Sequence, residues 1–259
     1  MSANTLGIVG GTGWLGGSLA QAILDCRLIQ ADQLFLSNRS GQHRLSETGA
    51  HLLADNQALV DASDVVILSV RPEQFERLAI RAPGKLVVSL MAGVTARVIS
   101  DATGAAYVVR AMPNAAAQIR QSFTPWHCEA ELPEQEQVFV QQLLETIGPS
   151  RRVPTEACID YLSALSGTGP AFPALLMTAL VDQAVLAGIA PDIARQAAYG
   201  VVVSASQLLA SSEPQALIDS LMAYQGVTSA ALRHLVEAGF PDLIGQAVTA
   251  GAEVARKGM

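Results

Sequence analysis

Apolar residues come in short blocks through the first half of this chain and in long stretches at helical spacing through the second. Thr5 to Val9, Gln33 to Ser37, Gly49 to Leu53, Asp64 to Val70, Lys85 to Met91 and Ala105 to Arg110 read as strands. A seventh is expected near Ser122 to Thr124. The run DVVILSV from Asp64 to Val70 shows almost no alternation, as a parallel strand covered on both faces requires. Helices are expected over Ser18 to Leu24, in a short piece after Ala54-Asp55-Asn56-Gln57, and over Pro133 to Ile147. Gly148 and Pro149 then punctuate the unit, and Arg151 to Pro154 reads as its exit. From Glu156 onward the pattern is helical, with stretches over Glu156 to Ser166, Pro170 to Ala187, Pro191 to Ala210, Pro214 to Ala223, Thr228 to Glu237 and Asp242 to Lys257. The expected architecture is a doubly wound α/β sheet over residues 1–154 followed by an all-α domain over 155–259.

The later helices carry apolar residues around most of their circumference, Val201, Val202 and Val203 among them. A helix apolar on all sides must be buried against several neighbours. With so little polar surface to share, these helices predict a homodimer or higher homo-oligomer that buries part of them in another copy.

The composition fits this picture: 50% of the 259 residues are apolar, 15% are charged, and the net charge is −7. Without a Lys/Arg run, a nucleic-acid partner is not expected, and no apolar run reaches the length of a bilayer span. Cys26, Cys128 and Cys158 lack metal-ligand spacing, and the four histidines stand singly, so no metal site is expected. Unpaired cysteines and the lack of a basic-then-apolar leader point to a cytoplasmic protein.

The chemistry starts at Gly10-Gly11-Thr12-Gly13-Trp14-Leu15-Gly16-Gly17. Gly11, Gly13 and Gly16 match G-x-G-x-x-G between a strand and a helix, the context of a Rossmann-type dinucleotide site. Gly11, Thr12, Gly13, Trp14, Leu15 and Gly16 would cradle a pyrophosphate on the helix N-terminus. The second strand ends in Asn38-Arg39-Ser40, where an NAD site would usually carry an acid. Polar and positive residues there suit a 2′-phosphate, so the expected cofactor is NADP(H). Ligands of such sheets sit beyond the carboxyl ends of the strands, which singles out Arg71, Pro72, Ala92, Gly93, Met112 and Asn114.

A second small-residue turn, Leu165-Ser166-Gly167-Thr168-Gly169-Pro170-Ala171-Phe172, separates the two halves. Thr168 is placed to cap the helix that Pro170 opens and to aim its hydroxyl at a ligand.

These motifs together resemble the pyrroline-5-carboxylate reductase family along nearly the whole chain. Leu68-Ser69-Val70-Arg71-Pro72 is similar to that family's apolar-AVKP strand end, and Ser89-Leu90-Met91-Ala92-Gly93-Val94 to its S-x-x-AG turn. Arg110-Ala111-Met112-Pro113-Asn114 is close to its R-x-MPN segment, and DYLSALSGTGPAF from Asp160 to Phe172 to its DAVTALSGSGPAY. Two departures stand out. The opening turn has an extra glycine, as in prephenate dehydrogenases and coenzyme-F420-dependent NADP reductases. The family's SPGGTT run is Ala223-Tyr224-Gln225-Gly226-Val227-Thr228 here, keeping only the glycine and the last threonine.

The resemblance implies an NAD(P)H-dependent oxidoreductase acting on a C=N bond, reducing 1-pyrroline-5-carboxylate to L-proline in proline biosynthesis. By analogy Asn38, Arg39 and Asn56 face the adenosine ribose, Val70 and Pro72 flank the cofactor, and Met112 and Asn114 approach the nicotinamide. Ser166, Thr168 and Thr228 are the expected catalytic hydroxyls. Gly167, Gly169, Tyr224, Gly226 and Val227 are expected around the small-molecule imine, in a pocket that could cross the dimer interface. Asp160 is expected to be a structural cap rather than an acid. Tyr224 and Gln225 would admit a larger or less carboxylate-dependent imine. Two other readings remain at this stage: an NADP-binding regulatory homologue without catalysis, and an oxidoreductase using a deazaflavin, which leaves the second half unexplained.

Overall fold

The computed structural model describes residues 5–38 and 48–257. Eight strands form one sheet: β1 (Leu6–Val9), β2 (Leu34–Ser37), β3 (His51–Leu53), β4 (Val65–Leu68), β5 (Leu86–Ser89), β6 (Tyr107–Ala111), β7 (Thr124–Cys128) and β8 (Ser150–Arg152). Their order is β3-β2-β1-β4-β5-β6-β7-β8, so the chain reverses direction of travel across the sheet after β3. Every pairing is parallel except β6 with β7. The helices joining these strands are α1 (Trp14–Asp25), α2 (Asn56–Asp61), α3 (Pro72–Phe75), α4 (Ala96–Thr103) and α5 (Glu134–Glu145).

The lack of alternation in the strands has its expected cause. Leu6, Ile8, Val65, Ile67 and Val88 pack on one face with Leu19, Ile23, Val140 and Leu143. Val9, Val66, Leu68 and Val87 pack on the other with Leu59, Phe75 and Ile99. Each such side chain contributes about 1.5–3 kcal/mol when fully withdrawn from water.

The structure moves several boundaries. α1 begins at Trp14, inside the glycine run rather than at Ser18. α3 and α4 fall in segments with no expected helix, α4 stopping at Gly104 in the left-handed conformation. The seventh strand lies at Thr124–Cys128, and Ser150–Arg152 is an eighth strand rather than an exit loop. Pro125 and His127 break the apolar signature of β7, and β8 is too short and too polar to carry one.

Beyond β8 come α6 (Glu156–Leu165), α7 (Ala171–Leu186), α8 (Pro191–Tyr199), α9 (Pro214–Met222), α10 (Val227–Glu237) and α11 (Phe240–Lys257). The stretch expected as one helix over Pro191 to Ala210 is α8, then a π-helical turn at Gly200–Ser204, then a 3-10 segment at Ala205–Ala210. Three successive β-branched or small residues after Gly200 make an irregular turn the ready outcome. The chain divides into two compact units, one of Met1–Gly169 with Val248–Met259, the other of Pro170–Ala247. In the first, α11 crosses α6 closely: a side chain at Gly251 would come within 2.9 Å of the Ala164 methyl. In the second, α7 buries none of its residues, and Leu175, Leu186 and Leu243 are 70%, 79% and 63% exposed. No helix among the described residues is long and apolar enough to cross a membrane.

Candidate active site

Five parallel strands end on one row of the sheet, because Val9 is in register with Ser37 and Leu68, Leu68 with Ser89, and Ser89 with Arg110. The loops after this row carry most of the expected site residues. Gly11, Thr12 and Gly13 form the bend after β1; Trp14, Leu15 and Gly16 are the first turn of α1. Val70, Arg71 and Pro72 join β4 to α3; Ala92 and Gly93 follow β5; Met112 and Asn114 follow β6. Arg39 and Ser40 lie outside the described residues.

The bend is built by removing side chains. Gly10 has φ +79°, and a Cβ there would lie 2.3 Å from the Ser69 carbonyl oxygen. A Cβ on Gly16 would lie 2.5 Å from the Gly10 carbonyl oxygen, so only glycine lets α1 pass this close to the bend. The Ser37 carbonyl at the end of β2 accepts from both Gly10 and Gly11 N–H at 3.1 Å and pins the turn to the sheet. Gly13 occupies the N-cap of α1 with no side-chain cap, so the helix terminus keeps its donors and partial positive charge for an anion. These residues fit a dinucleotide pyrophosphate. Beside the bend, Asn38 Nδ2 donates to Thr12 Oγ1 at 2.5 Å, and Ser37 Oγ donates to Asn56 Oδ1 at 2.7 Å. Thr12, Asn38 and Asn56 are thereby gathered at the ends of β1 and β2, where an adenosine ribose sits in such folds. Trp14 is 60% exposed at the mouth of the bend.

The second turn leaves the C-terminus of α6. The N–H groups of Ser166 and Gly167 both bond to the Leu162 carbonyl, at 2.8 and 2.9 Å. A Cβ on Gly167 would meet the Ser163 carbonyl oxygen at 2.4 Å. Gly169 has φ +53°, with Asn114 against it. The structure corrects one expectation here: Thr168 does not cap α7, whose N-cap is Pro170 with no side-chain bond. Its hydroxyl reaches backwards, donating to Ala164 and Leu165 carbonyls at 3.1 and 3.2 Å. Ser166 Oγ does the same to Leu162 at 3.0 Å. The Ala164 and Leu165 carbonyls at the helix C-terminus have no helical N–H to accept from, and the Thr168 hydroxyl takes them; Ser166 Oγ adds to a carbonyl already bonded, the i−4 back-bond common to serine in helices. With their protons so engaged, both hydroxyl oxygens keep lone pairs with which to accept.

Asp160 is also not a cap. It lies mid-helix, and its Oδ1 accepts from Arg110 Nη2 at 3.1 Å. Arg110 is 1% exposed on β6, and its Nη1 donates to Glu156 Oε1 at 2.9 Å. The cap of α6 is Thr155, which accepts from Cys158 N–H. Glu156 Oε1 also accepts from Ala96 N–H at 2.7 Å, tying α6 to the start of α4. Neither Arg110 nor Glu156 was singled out from the sequence as a site residue. The signal was there: an arginine ending an apolar strand needs buried carboxylates, and Glu156 and Asp160 are one helical turn apart.

The other expected residues, Tyr224, Gly226, Val227 and Thr228, belong to the second compact unit. Tyr224 is 78% exposed and Val227 89%, and Thr228 is exposed in the first turn of α10. Gly226 N–H is committed to Ser229 Oγ at 3.1 Å, so that amide is no longer open to a substrate.

Residues 156–258 match the family model for pyrroline-5-carboxylate reductase dimerisation, and residues 5–93 match that for coenzyme F420-dependent NADP oxidoreductase. The chain is 30% identical over 259 residues to a pyrroline-5-carboxylate reductase of Synechocystis, covering 95% of this chain and 94% of that protein. It is 28% identical to one from Pisum sativum, covering 98% and 95%. A solved pyrroline-5-carboxylate reductase from Coxiella burnetii superposes with a TM-score of 0.87 at 25% identity, over 99% of this chain and 98% of that one. The Plasmodium falciparum pyrroline carboxylate reductase with NADP bound shares the fold, with a TM-score of 0.84 at 21% identity over 99% and 98%.

Proposed function

The chain belongs to the pyrroline-5-carboxylate reductase family, and on that premise we propose that it uses NADPH to reduce 1-pyrroline-5-carboxylate to L-proline. The observation that carries this reading is a pair of turns in one compact unit: an anion cradle with no side chain at its helix cap, and a hydroxyl-rimmed turn tied to the end of β6. Bound NADPH supplies the hydride to the imine carbon. The first turn of α1 holds the pyrophosphate, and Thr12, Asn38, Asn56 and Arg39 take the adenosine ribose and its 2′-phosphate. Val70, Arg71, Pro72, Ala92, Gly93 and Met112 flank the cofactor from the strand ends.

Ser166 and Thr168 act as acceptors, because their protons already go to α6 carbonyls. An oxygen so engaged can receive the N–H of a protonated imine. Ser166 to Gly169 contains no titratable side chain, and a protonated imine needs orientation and exclusion of water more than an acid. Thr228 and the Val227 amide at the start of α10 are assigned to the substrate carboxylate.

Residues 1–154 serve the cofactor in this reading, and 155–259 serve the substrate and dimerisation. The exposed leucines of the second compact unit support a homo-oligomer, since apolar helix faces of this kind are covered in a stable protein. Three free cysteines fit a reducing, cytoplasmic setting.

Steady-state oxidation of NADPH with 1-pyrroline-5-carboxylate tests the function, and light scattering tests the assembly. Turnover with proline as product, by a species larger than one chain, is expected. Tight NADPH binding without turnover of any imine would make the protein a regulator instead. A second reading, a bulkier imine without a carboxylate, is favoured by the exposure of Tyr224 and Val227. It predicts that such imines outperform pyrroline-5-carboxylate in the same assay.

A further inference from the structure

Strand β6 and the loop after it hold the Ser166–Gly169 turn at two heights. At the root, the Arg110 guanidinium grips Glu156 and Asp160 and fixes the rotation of α6. At the tip, three bonds fix Asn114. Its N–H donates to Ser122 Oγ at 2.9 Å, its Oδ1 accepts from Ala116 N–H at 2.8 Å, and its Nδ2 donates to the Ser166 carbonyl at 2.8 Å. The carboxamide cannot flip, because a flip would set donor against donor and acceptor against acceptor. Gly169 completes the fit, since a Cβ there would lie 3.1 Å from both Asn114 Cβ and Cγ.

We propose that Asn114 is a positioning residue for the imine reduction, its carboxamide setting the height of the Ser166–Gly169 turn above the end of β6. This rests on the reductase reading above. Both polar atoms of the carboxamide are engaged with protein, so the side chain acts by placing the Ser166 and Thr168 oxygens against the imine. A shift of about 1 Å in such a group can cost on the order of a hundredfold in rate.

Three variants test it. Asn114→Ser and Asn114→Asp keep an oxygen for the Ala116 N–H, as good helix caps do, but lose the donor to the Ser166 carbonyl. Asn114→Ala loses both. The clamp predicts that all three lower kcat by roughly ten- to a hundredfold. NADPH Kd should stay within about twofold of wild type, and amide hydrogen exchange should quicken at residues 166–169 but not in β1 or β4. A purely capping role would leave the Ser and Asp variants near wild-type kcat, and that result overturns the proposal. So does a Kd for NADPH that weakens in step with kcat, which would mean direct cofactor contact. Unchanged exchange at 166–169 also overturns it. If wild type turns over no imine, the reductase reading fails and the proposed role in catalysis fails with it, while the exchange data still judge the clamp on their own.

Discussion

After β1, glycine leaves the polar groups of a turn open; after α6, it lets them close on one another. In the first turn, Gly13 caps α1 with no side chain and Gly16 lets the helix start against the Gly10 carbonyl. The N–H groups and dipole at that helix end are left for a ligand. In the second, Ser166 and Thr168 donate back to α6, and Asn114 donates to the Ser166 carbonyl. In the proposed reading, one turn binds because its local partners have been removed, and the other positions because its partners are in place. Glycine content is the same signal in both, so the function of such a turn is read from which neighbouring donors and acceptors are satisfied.

The sharpest way to break this contrast is Gly16→Ala. The added methyl would lie 2.5 Å from the Gly10 carbonyl oxygen, a backbone atom that cannot move without moving the bend. NADPH affinity should fall about a hundredfold, the upper end of what overpacking costs. Calorimetric titration showing an unchanged Kd would mean that the bend is not the cofactor cradle. Gly167→Ala is the matching change in the second turn, where the methyl would meet the Ser163 carbonyl oxygen at 2.4 Å. Here kcat should fall about tenfold while NADPH Kd holds, because the displaced groups are the ones proposed to meet substrate rather than cofactor. If both parameters moved equally, the division of labour between the turns would be wrong.

The smallest effect on activity is expected at Lys85, at the opposite end of β5 from the site. Its ammonium donates to the Val60 and Ser63 carbonyls at 2.7 and 2.5 Å and approaches Asp61 O at 3.4 Å, closing the end of α2. Lys85→Met takes the ammonium from the Ser63 carbonyl and leaves the Val60 carbonyl only the Ser63 N–H, and it should lower stability by about 1–3 kcal/mol, read from the urea midpoint. Neither kcat nor Kd should change. An altered Kd would show that the cofactor site feels the packing of α2 as a whole.

The two compact units differ as much as the two turns. Leu6, Ile8, Leu36 and Ile67 are fully buried in the first, while in the second the buried side chains are small ones such as Ala194 and Ala198. Apolar residues therefore made a sheet with a core in one place and helices with exposed leucines in the other. Pattern records the demand for burial and leaves open who meets it.

The sequence alone determined the order of the first six strands along the chain, the sites of the two turns and the helical character of the stretches that follow β8. These depend on local period, on glycine, and on residues a few positions apart. Only the tertiary structure decided where α1 begins, because the close passage of Gly16 over Gly10 is a contact between elements. It alone placed β7 antiparallel at Thr124–Cys128 and added β8, whose residues are too polar or too few to announce a strand. It turned Thr168 backwards onto α6, whose last carbonyls have no helical N–H to accept from. Arg110 finds its carboxylates 46 and 50 residues away, and Asn114 its carbonyl 52 residues away. A buried polar group must be paired, and sequence shows that need. Which distant group answers it depends on the path of the backbone, set by the packing of both faces of the sheet.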